Sequence, residues 1–213
     1  MYIGRIVAAG MTPDGKVCAA YRVSSRSFPN RTAKITGRTV SILPRAGHEA
    51  DLAKNPYIAY NCVRLAGSVA LATNGSQTDP IIEKILSGMS VRDAFALGLL
   101  AMDYEKDSLD TPRIAAAVDA STGTAVLGIV RKDALLVRSI PLEKGKIYFL
   151  STYEKNAPCL KNVDEAFSAK TPEEIASCMI GGGVFASFEK PVTAAAALWN
   201  GTDYDFAVQD ASL

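Results

Sequence analysis

Short apolar runs separated by turn residues make up the first third of the chain. The runs are rich in valine, isoleucine and tyrosine, and glycine, proline or an Asn-Gly step lies between them, which is the pattern of β-strands. The predicted strands cover residues 2–9, 17–24, 33–43, 58–65 and 68–73. We therefore expect this part of the chain to form a sheet.

Two helices are predicted after these strands. Asp79-Pro80 opens the first, because proline is favoured at the first helical position and apolar residues then recur at helical spacing. Ser90 caps the second, and Asp93 lies at the third helical position as an acidic variant of the capping box. Apolar residues lie almost all round this second helix, which predicts deep burial between layers.

The rest of the chain returns to strands and adds one more helix. Thr171-Pro172-Glu173-Glu174 predicts a capped helix that ends at Gly181-Gly182-Gly183. Groups of strands and groups of helices, without strand–helix–strand alternation, indicate the α+β class. We predict a single domain, residues 1–213, with two antiparallel sheets and helices outside them. The remaining predicted strands cover residues 114–120, 125–131, 134–140, 146–153, 192–199 and 204–208.

Composition and charge narrow the classes of partner. Hydrophobic residues make up 48% and charged residues 21% of the 213 residues, as in globular proteins with a substantial core. The net charge of +1 is uneven, because residues 1–50 hold eight Lys/Arg and two acidic side chains and the other residues carry a charge of −5. Concentrated positive charge favours an anionic partner, and a pI of 7.6 favours a small ligand over nucleic acid.

Cysteine and histidine usage argues against a metal site. The four cysteines lie far apart, without a CxxC or Cys/His pair, and are predicted to be reduced core thiols. The single histidine, His48, lies in a predicted surface loop. Because neither a signal peptide nor an apolar run of 18 residues is recognised, we predict a cytoplasmic protein without a membrane segment.

The segment YRVSSRSFPNR, residues 21–31, is the strongest candidate for a binding site. Arg22, Arg26 and Arg31 offer planar, permanently charged donors that suit phosphate or carboxylate oxygens, and serine hydroxyls lie between them. Such a turn is a plausible wall of a pocket for an anion.

Five further polar positions interrupt apolar surroundings. Tyr60-Asn61 lies in an apolar strand, where neighbouring residues face opposite ways, so one of the two is expected to face a core or cleft. Asn74 begins a polar turn ahead of a helix, where free N–H groups can hold an anion. Glu105 ends the apolar helix in a run of charge, and Arg113 follows it. A structural role remains open for each of them.

Six segments, taken in order, resemble the archaeal-type IMP cyclohydrolases: MYIGRIVAAG, YRVSSRSFPNR, Tyr60-Asn61, ATNGSQTDP, MDYEKD and TPRIAA. The resemblance covers residues 1 to about 120. It implies a four-layer αββα fold like that of the N-terminal nucleophile hydrolases. The sequence departs from those hydrolases at the nucleophile, because Met1-Tyr2 stands where they have a processed Thr, Ser or Cys.

The activity implied by the resemblance is the last step of purine biosynthesis. In that step 5-formamidoimidazole-4-carboxamide ribonucleotide closes to inosine 5′-monophosphate and loses water, without a metal or redox cofactor. Resemblance and residue type assign Arg31 to the formyl or carboxamide oxygens, Tyr60 to orientation or proton relay, and Glu105 to the carboxamide nitrogen. The expected substrate contacts are Arg22, Arg26, Asn61, Asn74 and Arg113.

Three other interpretations remain open at this point. A non-catalytic purine-nucleotide-binding protein would keep the arginines, although Tyr60 and Glu105 favour an enzyme. An amide hydrolase of the N-terminal nucleophile type is disfavoured by Tyr2, and RNA binding has no recognisable motif behind it. Assembly into a homo-oligomer, and the choice of arginine that meets the phosphate, are not decided by the sequence.

Overall fold

The computed structural model describes residues 1–212, in which thirteen strands form two antiparallel sheets. Leu213, the last residue of the predicted domain, lies outside the described residues. The six-stranded sheet has the spatial order β11 (Val163–Asp164), β10 (Lys146–Ser151), β1 (Ile6–Met11), β2 (Val17–Ser24), β12 (Pro191–Trp199) and β13 (Tyr204–Asp210). The seven-stranded sheet follows chain order: β3 (Arg31–Thr36), β4 (Thr39–Pro44), β5 (Tyr60–Ala66), β6 (Val69–Thr73), β7 (Arg113–Asp119), β8 (Thr124–Arg131) and β9 (Ala134–Pro141).

Helices cover the outer faces of both sheets. The helices α2 (Thr78–Leu86) and α3 (Val91–Met102) pack on the seven-stranded sheet, and α4 (Pro172–Gly181) packs on the six-stranded sheet. A short helix, α1 (Asp51–Lys54), lies between β4 and β5. The predicted α+β class and the four-layer αββα sandwich of two antiparallel sheets are confirmed. The likeness to N-terminal nucleophile hydrolases remains a prediction.

The central core lies between the two sheets. Because side chains alternate between the faces of a strand, every second residue of β1 and β2 points into this layer, among them Val7, Ala19 and Tyr21. They meet inward residues of the other sheet, such as Ala116. Since β2 pairs with β12 from the far end of the chain, we propose that residues 1–212 form one domain.

The burial predicted for α3 is wrong. Ser90 caps this helix as expected, because its Oγ accepts a hydrogen bond from the backbone N–H of Asp93 at 3.2 Å. However, Leu97 and Leu100 are 46% and 63% exposed, since only one side of the helix meets the sheet. Gly98 lies on the buried side, where a Cβ atom would collide with the side chain of Ile81 on α2. An apolar residue on a helix surface is common and does not by itself indicate burial.

Other elements agree with the sequence to different degrees. The capping box of Thr171 and Glu174 is present at the start of α4. The single strand predicted at residues 33–43 is wrong, because the chain turns at Gly37, with a φ of +57°, and forms the hairpin of β3 and β4. The helix α1 and the two-residue strand β11 were not predicted, since elements this short leave no periodic pattern. Among the described residues, no helix is long and apolar enough to cross a membrane.

Candidate active site

A pocket opens at one end of the sandwich, where strand ends and loops from both sheets meet. Ile6 lies opposite both Arg22 and Ser151 in the six-stranded sheet, so the start of β1, the end of β2 and the end of β10 share one edge. The start of β3, in the other sheet, lies beside them. We call this cavity the strand-end pocket; its lining residues are Tyr2, Arg5, Ser24, Ser25, Arg26, Ser27, Phe28, Arg31, Asn55, Tyr57, Ile58, Asp107, Ser108, Leu109 and Tyr153.

Arg31 is a buried cation in the wall of this pocket. Its side chain has the same orientation as Ala33, toward the space between the sheets, and the residue is only 3% exposed. Its Nε donates a hydrogen bond to the carbonyl oxygen of Phe28 at 3.0 Å. Its Nη1 has no hydrogen-bond partner among residues 1–212. A buried donor without a partner is costly, so this nitrogen is suited to an oxygen supplied by a ligand.

Tyr21 and Tyr60 form a pair of phenols on the inward faces of the two sheets. Their hydroxyl oxygens are 2.6 Å apart, and both side chains are buried. Burial raises the pKa of Tyr60, while the positive charges of Arg31 and Arg5 oppose that rise. Two hydroxyls that share one hydrogen bond have one proton left to donate elsewhere. One of the two phenols therefore keeps an O–H that is free to donate, although neither side chain is among those that line the strand-end pocket.

Arg5 lies one residue before β1, and its guanidinium group is a second positive charge in the lining of the pocket. Its Nη1 and Nη2 donate hydrogen bonds to the two carboxylate oxygens of Glu105, at 3.4 and 3.2 Å. Burial disfavours the charge of Arg5, but Glu105 and nearby phenols outweigh that effect and raise the pKa of Arg5. Burial also raises the pKa of Glu105, against the opposing influence of Arg5 and Arg113.

The loop after α3 positions Glu105 beside Arg5. The N–H of Glu105 donates to the carbonyl oxygen of Thr111 at 2.8 Å, which closes the loop. Asp107 organises the same loop, because its carboxylate accepts hydrogen bonds from the N–H and Oγ1 of Thr111 at 2.9 and 2.7 Å. Glu105 is consequently 1% exposed and lies behind Arg5 rather than on the pocket surface.

Arg113 supports Glu105 from the opposite side. Its Nη1 is 3.7 Å from the Glu105 carboxylate and donates to Oε1 of Gln77 at 2.9 Å. Two guanidinium groups, those of Arg5 and Arg31, thus line the pocket, while Arg113 lies behind Glu105, which is 1% exposed. An excess of buried positive charge favours an anionic ligand.

Comparison with known proteins identifies the family. Residues 2–203 match the family model described as IMP cyclohydrolase-like protein. This chain belongs to that family. The IMP cyclohydrolase of Methanocella arvoryzae is 52% identical over 198 residues, covering 92% of each chain. The IMP cyclohydrolase of Methanosphaera stadtmanae is 45% identical over 197 residues, which cover 92% of this chain and 94% of the relative. The IMP cyclohydrolase of Halobacterium salinarum is 46% identical over 210 residues, which cover 98% of each chain.

The structure places Arg22 away from the pocket, which corrects its expected role as a substrate contact. Arg22 is on the outer face of β2, and its Nε donates to Oγ of Ser24 at 3.0 Å. Burial lowers its pKa to about 10, which still leaves it charged at neutral pH. Its other nitrogens donate to carbonyl oxygens at the end of α4 and in the following segment, those of Met179, Ile180, Phe185, Phe188 and Glu189.

Asn61 and Asn74 are also engaged in the scaffold rather than in the pocket. Asn61 faces α2, where its amide nitrogen donates to the carboxylate of Asp79 at 2.9 Å. Asn74 is fully buried, and its amide nitrogen donates to the carbonyl oxygen of Pro112 at 2.9 Å. Their expected roles as substrate contacts are therefore corrected to structural ones, because each side-chain amide forms its hydrogen bonds with other protein groups.

Arg26 lies at the pocket, and Tyr60 faces the space between the sheets. Arg26 lines the mouth of the pocket, with its guanidinium carbon 4.1 Å from the centre of the Tyr2 ring, and its side chain is 62% exposed. Of the pair Tyr60-Asn61, Tyr60 is the one that faces the inter-sheet space, as the alternation of strand residues required.

Sequence reasoning missed Arg5 and Tyr21 as site residues. Both could have been found from the alternation of strand residues. Arg5 is two residues before Val7, and Tyr21 is two residues after Ala19, so each is expected on the strand face that points between the sheets. Tyr153 was missed as well, because the loop that carries it to the pocket has no sequence signature.

The cysteines and the histidine lie outside the lining of the strand-end pocket. Cys18 and Cys62 are fully buried, and burial raises the pKa of the Cys18 thiol to about 12, which disfavours the nucleophilic thiolate. His48 is in an exposed loop, as predicted. No group of three or more metal-binding side chains occurs within residues 1–212.

Proposed function

We propose that this protein is an IMP cyclohydrolase that closes 5-formamidoimidazole-4-carboxamide ribonucleotide to inosine 5′-monophosphate and releases water. The proposal is supported by the names of relatives that are 44–52% identical over most of the chain. The observation that carries it is Arg31, a buried residue that lines the pocket and whose Nη1 has no partner in the described protein.

The reaction makes one C–N bond and breaks one C–O bond. The carboxamide nitrogen attacks the formyl carbon and passes one proton to the formyl oxygen, which becomes a hydroxyl group. That hydroxyl then leaves as water with a further proton, while the formamide nitrogen loses its hydrogen and forms the C=N bond. An enzyme can lower this barrier by holding the two groups in contact, because the amide nitrogen is a weak nucleophile.

Arg31 is the residue proposed to act on the formyl oxygen. Negative charge develops on that oxygen as the C–N bond forms, and a preorganised donor in a dry site stabilises such charge strongly. The hydrogen bond from Arg31 to the Phe28 carbonyl fixes the orientation of the guanidinium before the reaction begins.

Tyr60 is proposed to deliver the proton that the departing oxygen requires. A phenol that donates its proton becomes a phenolate, and Tyr21 can stabilise that phenolate by donating across the 2.6 Å contact. The neighbouring charges of Arg31 and Arg5 act in the same direction, because both favour the ionised phenol. Arg26, at the pocket mouth, is proposed to bind the phosphate.

A cytoplasmic location is also proposed, because the four cysteines within residues 1–212 are free thiols, as expected in a reducing compartment.

The proposal is tested by incubating the purified chain with the formamido ribonucleotide and following the ultraviolet absorbance of inosine 5′-monophosphate. Catalysed formation of the product supports the proposal. Saturable binding of the ribonucleotide without product formation would contradict it and would favour a nucleotide-binding protein.

A further inference from the structure

We propose that Arg5 contacts the substrate and that Glu105 is the positioning residue that holds Arg5, an inference that rests on the proposed function. Arg5 lines the strand-end pocket, and its side chain is 12% exposed. Glu105 does not line the pocket and is 1% exposed. The residue with access to a ligand is therefore the arginine, although the sequence singles out the glutamate.

The hydrogen bonds of Arg5 leave donors for a ligand. A guanidinium group has five N–H donors, and the bidentate contact with Glu105 uses two of them. The Arg5 side chain makes no other hydrogen bond to residues 1–212. Three donors therefore remain for oxygens in the pocket, and the rigid contact with Glu105 fixes their direction.

The carboxylate of Glu105 is, in contrast, committed to the protein. Arg5 contacts both of its oxygens, and Arg113 approaches one of them to 3.7 Å. Arg113 is itself fixed by Gln77, whose Nε2 donates to Oδ1 of Asn74 at 2.7 Å. This chain of buried polar groups anchors Glu105 from behind, so its oxygens face Arg5 rather than the pocket.

The role of Arg5 follows from its position. Arg5 and Arg31 both line the pocket, and their charges oppose the burial that raises the pKa of the Tyr21 and Tyr60 phenols. Arg5 therefore places a second cation near the oxygen that becomes negative during ring closure. Glu105 contributes by orientation, and it neither removes a proton from the carboxamide nitrogen nor contacts it.

A double-mutant cycle tests this assignment. The variants Arg5→Gln, Glu105→Gln and the combination of both are compared with the wild type by kcat/KM for ring closure. Each single change is expected to lower kcat/KM by about 10²-fold, the usual effect of losing one preorganised donor. The double variant is expected to lose no more than Arg5→Gln alone, because Glu105 then has nothing to hold. Multiplied losses, about 10⁴-fold in the double variant, would overturn the inference and restore Glu105 as a separately acting group.

A second variant separates positioning from simple charge balance. Arg5→Lys keeps the positive charge beside Glu105. It loses the planar guanidinium group, which can bond both oxygens of Glu105 and at the same time present further N–H donors to the pocket. We expect kcat/KM to fall at least about tenfold while the thermal midpoint stays close to that of the wild type. Activity within a few-fold of the wild type would overturn the proposed contact with the substrate.

The pair Arg64–Glu83 supplies a matched control on the outside of the molecule. These side chains form a similar ion pair, at 3.0 Å, between β5 and α2. Arg64→Gln/Glu83→Gln is expected to leave kcat/KM unchanged, since neither residue lines the strand-end pocket and exposed ion pairs contribute little to stability. Thermal unfolding of every variant identifies losses of activity that come from misfolding. Among the Arg5 and Glu105 variants, the double variant Arg5→Gln/Glu105→Gln is expected to be the least destabilised, because it leaves no unpaired buried charge at this contact.

The inference and the proposed function fail in different ways. If the wild type forms no inosine 5′-monophosphate, the proposed function is wrong. If the wild type is active but the two losses multiply, or Arg5→Lys is fully active, only the assignment of Arg5 and Glu105 is wrong.

Discussion

Three arginines within ten residues of sequence have three different environments. Arg22 is fully buried against backbone carbonyl oxygens, Arg26 is mostly exposed over the Tyr2 ring, and Arg31 is buried with its Nη1 unpartnered. Residue type is the same in all three cases, so the difference comes from the face of the strand and from the acceptors nearby. Among the three, Arg31 alone combines burial, a fixed guanidinium and a free donor, which is the combination that transition-state stabilisation requires.

The tyrosine pair leads to a prediction at the same scale. Tyr60→Phe removes the proton that the departing oxygen needs, so we expect kcat to fall by about 10²-fold or more, the usual range for general acid catalysis. Tyr21→Phe is expected to reduce kcat by a smaller factor, because it removes only the support for the phenolate. Tyr204→Phe is the control, since its buried hydroxyl donates to the carbonyl oxygen of Ser68 at 2.7 Å and is not part of the Tyr21–Tyr60 pair. Steady-state kinetics would contradict the assignment if Tyr204→Phe and Tyr60→Phe had equal effects.

The ionisation of Glu105 predicts a pH dependence. Burial raises its pKa above the ordinary value of about 4.3, so Glu105 is protonated as the pH falls through that raised value. The protonated side chain no longer holds Arg5 as an ion pair, and kcat/KM is expected to decline on the acid side. The substrate phosphate, with a second pKa of about 6, adds its own acid limb.

The variant Glu105→Gln distinguishes these two titrations. Its pH profile of kcat/KM should keep the limb of the substrate phosphate and lose the limb of Glu105. A profile that is identical in shape to that of the wild type would contradict the role given to Glu105.

At the scale of elements, Arg22 fastens the end of α4 and the segment after it to β2. Five carbonyl oxygens, from Met179 to Glu189, accept hydrogen bonds from its two terminal nitrogens. The same guanidinium bonds Ser24, the last residue of β2 and part of the pocket lining. The packing of a helical segment on one face of the sheet is thus connected to the shape of the pocket at the strand end.

This arrangement predicts a large effect on stability. Arg22→Met keeps the apolar stem but leaves several buried carbonyl oxygens without a donor, each of which costs about 1–3 kcal/mol. We expect the free energy of unfolding to fall by about 3 kcal/mol or more in urea titrations. Arg138→Met, at an exposed position on β9, is the control and should change stability by less than about 0.5 kcal/mol. A loss of less than about 1 kcal/mol for Arg22→Met would contradict this account.

For the molecule as a whole, the sequence pattern defined the architecture better than the site. Strand and helix patterns predicted the two sheets, the outer helices and two of the caps, because the periods of 2 and 3.6 and the capping residues are local signals. The burial of α3 could not be predicted in the same way, since exposed Leu97 and Leu100 look no different in sequence from buried leucines. Which side of a helix meets a sheet depends on tertiary packing.

The site depends even more on tertiary structure. Arg26 and Arg31 were identified as candidates and line the pocket, and Tyr60 faces the space between the sheets, whereas Arg22, Asn61 and Asn74 bond to the scaffold. The basic side chains of the first fifty residues are likewise divided between the pocket and contacts elsewhere in the protein. Arg45, for instance, pairs with Asp210 at 3.2 Å near the other end of the chain. Such contacts join residues that are distant in sequence, so composition cannot reveal them.

The antiparallel sandwich explains why these groups meet at one end. Each strand that contributes to the pocket does so at its terminus, where the backbone is free to leave the sheet and side chains are not covered by a neighbouring strand. The interior between the sheets is apolar, so the tyrosines and arginines at its open end lie in a low-dielectric region. Charges there act more strongly on a bound ligand than they would in water.

The most direct test of the central claim is single-turnover ring closure by the wild type and by Arg31→Lys at saturating enzyme. Lysine keeps the charge but cannot bond Phe28 and present a free donor in the fixed geometry of the guanidinium. The account predicts that the wild type forms inosine 5′-monophosphate and that Arg31→Lys does so at least about 10²-fold more slowly. A wild type that forms no product, or an Arg31→Lys variant as fast as the wild type, would contradict it.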